Sequence, residues 1–115
     1  MGDIKLRDIY SWEERLQAEN ATTITKDGKP VLRGQIVRIE TFIAQDETTD
    51  SKIISLGYGK GATRHWLIIQ TASVTVGLTF LMIPLILVEG EYPCARIATP
   101  TANDYINIIA RGVYL

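Results

Sequence analysis

The stretch VTVGLTFLMIPLILV, residues Val74–Val88, decides the class of fold. It carries no charge and is the most apolar window of the chain. A membrane-spanning helix needs about 18 or more apolar residues, and this run is shorter and is interrupted by Gly77, two threonines and Pro84. The alternation from Val74 to Val76 has the period of two that is typical of strands. We therefore predict two β segments that meet at or near Pro84.

The composition is that of an ordinary globular domain. The chain has 115 residues, of which 46% are hydrophobic and 22% charged, and its formal net charge is −1. This length predicts one domain with its own core. The low net charge gives no general attraction to nucleic acid or to an anionic membrane. The single cysteine, Cys94, cannot form an intrachain disulfide, which fits synthesis in a reducing cytoplasm.

Short apolar segments separated by turn signals follow one another along most of the chain. Lys26-Asp27-Gly28-Lys29 has the Asp-Gly pair of a tight hairpin. The apolar pattern changes phase around Ile36-Val37, which predicts either a bulge or burial on both faces there. The segment Tyr105–Leu115 is predicted to be a central or interface strand. Strands at this spacing predict an all-β protein, an antiparallel sandwich of jelly-roll-like or barrel-like form.

The first part of the chain has a different pattern. Ser11-Trp12-Glu13-Glu14 fits a capping box, and Ile9, Trp12 and Leu16 share one face of a helix. We therefore predict an arm with a short helix over residues 1–21 and a β-sandwich domain over residues 22–115. Such a helix is marginal alone, so it docks either on its own domain or on a neighbouring subunit.

Catalytic and metal-binding patterns are weak. His65 is the only histidine and stands beside Trp66 without a recognisable nucleophile motif. One histidine and one cysteine cannot make a zinc site of the usual kind, and the glycines of Gly57–Gly61 precede a strand rather than the helix of a phosphate loop. Asp46, Glu47 and Asp50 lack the spacing of an EF-hand and predict a solvated loop. We expect no enzyme activity, no catalytic residues, no metal and no cofactor.

The later segments together resemble a known class of proteins. They are Gln35–Ala44, Ile53–Gly59, Arg64–Ile68, Leu87–Glu91 and Thr101–Val113. Over about residues 35–115 this order of strands and turns resembles the small β-sandwich structural proteins of tailed-phage virions, found on heads, at head–tail junctions and on tails. The resemblance implies a non-enzymatic virion component, made in the host cytoplasm, that decorates or cements the capsid or closes a head–tail junction.

The resemblance also implies partners, and two other functions stay open beside it. The implied partners are further copies of the chain, as a homo-oligomer, and other virion proteins such as the major capsid or a connector or tail protein. Neither nucleic acid nor membrane is expected. One alternative is a carbohydrate- or receptor-binding module at a fibre, and the other is a small hydrolase that uses His65.

Two sets of candidate residues follow. Apolar residues on both faces of several strands predict an interface, for which the candidates are Ile9, Trp12, Leu16, Leu81, Ile83 and Leu85. In the carbohydrate-binding alternative, the ligand-facing residues would be Tyr58, Arg64 and Trp66.

Overall fold

The computed structural model describes residues 9–79 and 84–115, and over these residues the chain is all β. The strands are β1 (Ile9–Gln17), β2 (Ile24–Asp27), β3 (Ile36–Asp46), β4 (Lys52–Lys60), β5 (Thr63–Ala72), β6 (Leu78–Thr79), β7 (Leu85–Val88), β8 (Glu91–Ile97) and β9 (Tyr105–Tyr114). The predicted fold class is confirmed, since these strands form two antiparallel sheets packed on each other. No helix that could span a membrane is found among the described residues.

The first sheet has the order β1-β9-β3, and both β6 and β7 pair with the far side of β3. The second sheet has the order β2-β8-β4-β5. Two segments of the long apolar run enter the first sheet as short strands, β6 and β7. Val74 to Val76, whose alternation led to the prediction of a strand, form a turn instead. The predicted meeting point near Pro84 adjoins residues 80–83, which lie outside the described residues. Strand β9 lies between β1 and β3, so the prediction of a central strand near the end of the chain is confirmed.

The core lies between the two sheets, and β1, β3 and β9 supply alternate residues to it. Its largest fully buried apolar side chains are Tyr10, Val37, Phe42, Ile54, Leu56, Leu87, Ile97, Ile106 and Ile108. A period of two is what a strand with one buried face requires. The first sheet therefore has one face towards the core and the other towards solvent, whereas β4 and β8, in the middle of the second sheet, are buried on both faces.

The predicted helix near the start of the chain is wrong, because residues 9–17 form β1. Tyr10 and Trp12 point into the core, and Ser11 and Glu13 point outward. This alternation was present in the sequence beside the helical spacing. Pairing with β9 along the whole strand supplies hydrogen bonds and buried surface that an isolated short helix lacks. Two alternatives were predicted for this segment, docking on its own domain or on a neighbouring subunit. In the structure it packs within its own domain.

The Asp-Gly hairpin is also wrong. Strand β2 pairs with β8 rather than with the strand that follows it, and the Gly28 amide donates a 2.7 Å hydrogen bond to the Pro93 carbonyl. Gly28 is needed for close packing, since a Cβ there would lie 2.8 Å from ring carbons of Trp12. The predicted bulge occurs slightly later in β3, as a register shift between Ile39 and Thr41.

Candidate functional site

The outer face of the first sheet is apolar at one end. Two neighbouring rows of paired residues cross the sheet there, the first through Ile9, Val113, Arg38 and Ile86 and the second through Leu115, Ile36 and Val88. We call the exposed apolar side chains of these rows the apolar end: Ile9, Ile36, Ile86, Val88 and Leu115. Each is between 42% and 63% exposed. Contiguous apolar surface of this kind marks interaction sites on globular proteins.

Polar residues border the apolar end. Arg38 lies inside the first row, where its guanidinium donates to Glu40 at 2.8 Å. The next row along the sheet holds Arg111, whose side chain is 3.1 Å from Glu13. An apolar centre with charged groups at its border is the usual composition of a protein–protein interface. These exposed ion pairs add little to stability by themselves.

A second apolar surface lies on β5, at the edge of the second sheet. Leu67 and Ile69 are 42% and 54% exposed, and Ile53 on the neighbouring β4 is 48% exposed. Ile69 lies opposite Ser55, and Leu67 occupies a bulge in the pairing with β4. The extra residue of the bulge shifts the phase of the strand, and this interrupts the strict alternation of the two faces at Trp66 and Leu67.

The three residues predicted to face a ligand are engaged within the protein. Arg64 forms a bidentate ion pair with Asp27, with nitrogen–oxygen distances of 2.8 and 2.7 Å. The Trp66 ring is half-buried and is covered by the Arg96 guanidinium, 4.6 Å from the ring centroid. Tyr58 is half-buried and stacks on His65 at 5.1 Å between ring centroids. Arg64 and Trp66 lie opposite Gly59 and Gly57 on the outer face of the second sheet, whereas Tyr58 has the opposite phase and packs against the core.

Cys94 lies next to this group, opposite Gly57 on the middle strands of the second sheet. Its side chain is fully buried. Burial raises the pKa of the Cys94 thiol to about 12, with a smaller contribution from Asp27 in the same direction. A thiol that keeps its proton is a poor nucleophile and a poor metal ligand. Cys94 consequently acts as a small buried apolar residue.

The predicted interface residues fall in three different places. Ile9 belongs to the apolar end, while Trp12 is only 8% exposed and is part of the core. Leu16 and Leu85 are half-buried and pack against the core. Leu81 and Ile83 lie outside the described residues. The outward residues of β7 are thus Ile86 and Val88. The predicted set took the odd-numbered residues of the apolar run as outward-facing, and a shift by one residue would have identified these two.

The acidic loop after β3 is only partly solvated. Asp46 was predicted to be solvated but is 2% exposed, and it lies beside Asp104, which is 1% exposed. Asp46 Oδ1 accepts hydrogen bonds of 3.0 Å from the amides of Thr48 and Thr49, whereas Oδ2 is buried and has no hydrogen-bond partner among the described residues. Burial and the adjacent Asp104 carboxyl raise the pKa of Asp46.

The Asp104 carboxylate joins the loop after β3 to the loop before β9. Asp104 accepts from the Thr49 hydroxyl at 2.8 Å and from the Thr101 amide at 3.1 Å, which helps to lower the pKa of Asp104. No group of three or more His, Cys, Asp or Glu side chains that could hold a metal ion occurs within residues 9–79 and 84–115. A shallow groove of about 380 Å³ beside residues 16–26 is lined by one continuous segment of chain.

Comparison with known proteins finds similarity at the level of structure. No protein-family model matches the chain, and no curated protein matches it. A solved structure that is similar to it is the Drosophila NLP-core, a protein described for its pentamer formation and its histone binding. The sequence identity is 16%, the match covers 91% of this chain and 97% of that one, and the TM-score is 0.43. A similarity of this size transfers no partner or activity to the chain.

The comparison nevertheless corrects the resemblance suggested by the sequence. The similar solved structure described above, the Drosophila NLP-core, is not a phage virion protein. The predicted virion role, with its capsid and connector partners, is therefore wrong. The order of strands and turns on which it depended is shared by many antiparallel sandwiches, because short strands and tight turns recur wherever two sheets pack face to face.

Proposed function

We propose that this protein is a non-enzymatic β-sandwich module that assembles with copies of itself through the apolar end of the first sheet. The carrying observation is the continuous pair of rows in which Ile9, Ile36, Ile86, Val88 and Leu115 stay exposed. Removing apolar surface from water favours association by about 25 cal/mol per Å². The face opposite this surface already supplies the core, so the exposed residues are not needed for folding.

The interface needs no partner of opposite charge. The formal net charge is −1, and the charged groups next to the apolar end are joined in the Arg38–Glu40 and Arg111–Glu13 pairs. Two copies can therefore approach without strong long-range repulsion. The contact would be isologous if the same patch met itself, which is the commonest arrangement in soluble homo-oligomers.

Sedimentation velocity over a range of protein concentrations tests the proposal. The wild-type chain is expected to sediment as an oligomer, and Ile86→Lys is expected to weaken the association at least tenfold, because it places a charge among apolar neighbours. Thr25→Lys is the matched control, since Thr25 is exposed and lies on the second sheet, whereas the apolar end lies on the first. A wild-type chain that stays monomeric at all concentrations would contradict the proposal.

A further inference from the structure

The second edge of β5 is an open sheet edge. This strand has ten residues and pairs with β4 on one side only. In residues 9–79 and 84–115, no backbone hydrogen bond from a turn or loop reaches β5. A row of unpaired amide and carbonyl groups is a ready template for another strand. The edge therefore leaves hydrogen-bonding capacity for a partner.

The other sheet edges are protected in ways that β5 is not. Strand β1 carries Glu13, Glu14 and Arg15, and charged residues on an edge discourage pairing. Strands β2, β6 and β7 have four, two and four residues, which is too short for a stable added strand. From His65 to Ala72, β5 contains no Asp, Glu, Lys, Arg or Pro. Among the described edge strands, β5 is the one protected neither by short length nor by charged residues along most of its length, although it carries the bulge at Leu67.

The exposed side chains of β5 are also compatible with a second copy of the same strand. When an antiparallel pair is centred on Ile69, Ile69 lies opposite its own copy, and the flanking pairs are Ile68 with Gln70, Leu67 with Thr71 and Trp66 with Ala72. None of these pairs places like charges opposite each other. Arg64 falls beyond the overlap and is already neutralised by Asp27.

We infer that β5 adds to β5 of a second copy, with Ile69 at the twofold axis, and that this joins the two second sheets into one continuous eight-stranded sheet. Main-chain hydrogen bonds would provide much of the attraction, as in other strand additions. The apposed Ile69 side chains, with Leu67 next to them, would bury apolar surface on the outer face. The inference rests on the proposed self-assembly and names the contact that completes it.

Two isologous contacts on one chain lead to particles larger than a dimer. The apolar end belongs to the first sheet, and the β5 edge belongs to the second. Each contact can therefore be removed without touching the other. Loss of both should leave a folded monomer, because neither set of side chains belongs to the buried core.

A pair of charge variants tests the β5 contact at its centre. Ile69→Lys places two lysines opposite each other, and Ile69→Glu places two glutamates there. Each variant alone is expected to lose at least tenfold in association at this contact. An equimolar mixture is expected to recover it as a heterodimer, since the opposite charges then face one another. Thr75→Lys, at an exposed position in the turn after β5, is the control.

The background variant Ile86→Lys separates this inference from the proposed function. In that background a surviving dimer that Ile69→Lys abolishes supports the β5 contact. A monomer in that background, or a mixture that fails to recover association, overturns it while leaving the apolar end intact as an interface. If Ile86→Lys changes nothing and the Ile69 variants do, the proposed role of the apolar end is overturned instead. Circular dichroism of every variant confirms that the sheets are retained.

Discussion

The Tyr10 hydroxyl donates a 2.6 Å hydrogen bond to the carbonyl oxygen of Lys29. This bond joins β1, an edge strand of the first sheet, to the segment that leaves β2 in the second sheet. The Tyr10 side chain is fully buried, and burial raises the pKa of its hydroxyl. The residues once predicted to form a separate helix therefore connect the two sheets.

The first prediction concerns this bond. Tyr10→Phe is expected to destabilise the protein by about 1 kcal/mol, because the part-buried hydrogen bond to the Lys29 carbonyl is lost while the ring stays in place. Urea unfolding followed by circular dichroism measures the change. Tyr105→Phe is the control and should change stability by less than about 0.5 kcal/mol, since Tyr105 is 44% exposed. Equal effects of the two substitutions would contradict the role given to Tyr10.

The second prediction concerns the contact between Gly28 and Trp12. A Cβ at Gly28 would lie 2.8 Å from two ring carbons of Trp12 and 2.9 Å from Pro93 Cγ. Gly28→Ala should therefore cost about 1–3 kcal/mol through overpacking. In a Trp12→Leu background the same substitution should cost at least about 1 kcal/mol less, since the smaller side chain leaves room. A double-mutant cycle of unfolding free energies measures this coupling, and strict additivity would show that the indole is not the obstacle.

The third prediction concerns the pH dependence of stability. Because the pKa of Asp46 is raised in the folded protein, its contribution is complete below the unfolded pKa, about 3.9, and is lost as the pH rises through the folded pKa. Asp104 has a lowered pKa, because its hydrogen bonds with Asp46, Thr49 and Thr101 outweigh the effect of burial. Its contribution is therefore present above about 3.9 and is lost on acidification.

Asp46→Asn separates these two effects. The amide oxygen can still accept from Thr48 and Thr49, and the new amide nitrogen can donate to the Asp104 carboxylate. At pH 7 this variant should be more stable than the wild type by about 1 kcal/mol, and the difference should shrink towards pH 4. Asp104→Asn should instead destabilise the protein, since one acceptor for Thr49 or Thr101 is lost. Thermal unfolding from pH 4 to pH 8 measures both, and a constant difference for Asp46→Asn would rule out titration of the pair.

The fourth prediction concerns Cys94. Its buried thiol, with a pKa of about 12, should resist iodoacetamide at pH 8 in the folded protein and react fully in guanidinium chloride. A cysteine introduced by Thr25→Cys on the exposed face of β2 should react in the folded state within the same time. Mass spectrometry counts the modified thiols. Rapid labelling of Cys94 in the native protein would show that the outer face of the second sheet opens readily.

The fold class and several strands could be predicted from the sequence because each strand with one buried face repeats every two residues. That period is visible in β9, where Ile106, Ile108 and Ala110 are buried. The N-terminal segment was misassigned because the spacing of Ile9, Trp12 and Leu16 also fits a helix, and local pattern alone does not show that β9 is available for pairing. The hairpin predicted from the Asp-Gly pair is wrong for a related reason. Gly28 is required because it packs closely against Trp12, and this contact is not visible in the local sequence.

The sequence by itself determined that the chain is an antiparallel sandwich of low net charge, with more apolar side chains than one small core requires. Only the tertiary structure decided which of them remain outside. Ile86 and Leu87 are neighbours of similar hydropathy, yet Leu87 is fully buried and Ile86 is 49% exposed. The register of β7 on β3 separates them, because pairing Leu87 with Val37 directs the side chain of Leu87 into the core and that of Ile86 to the opposite face.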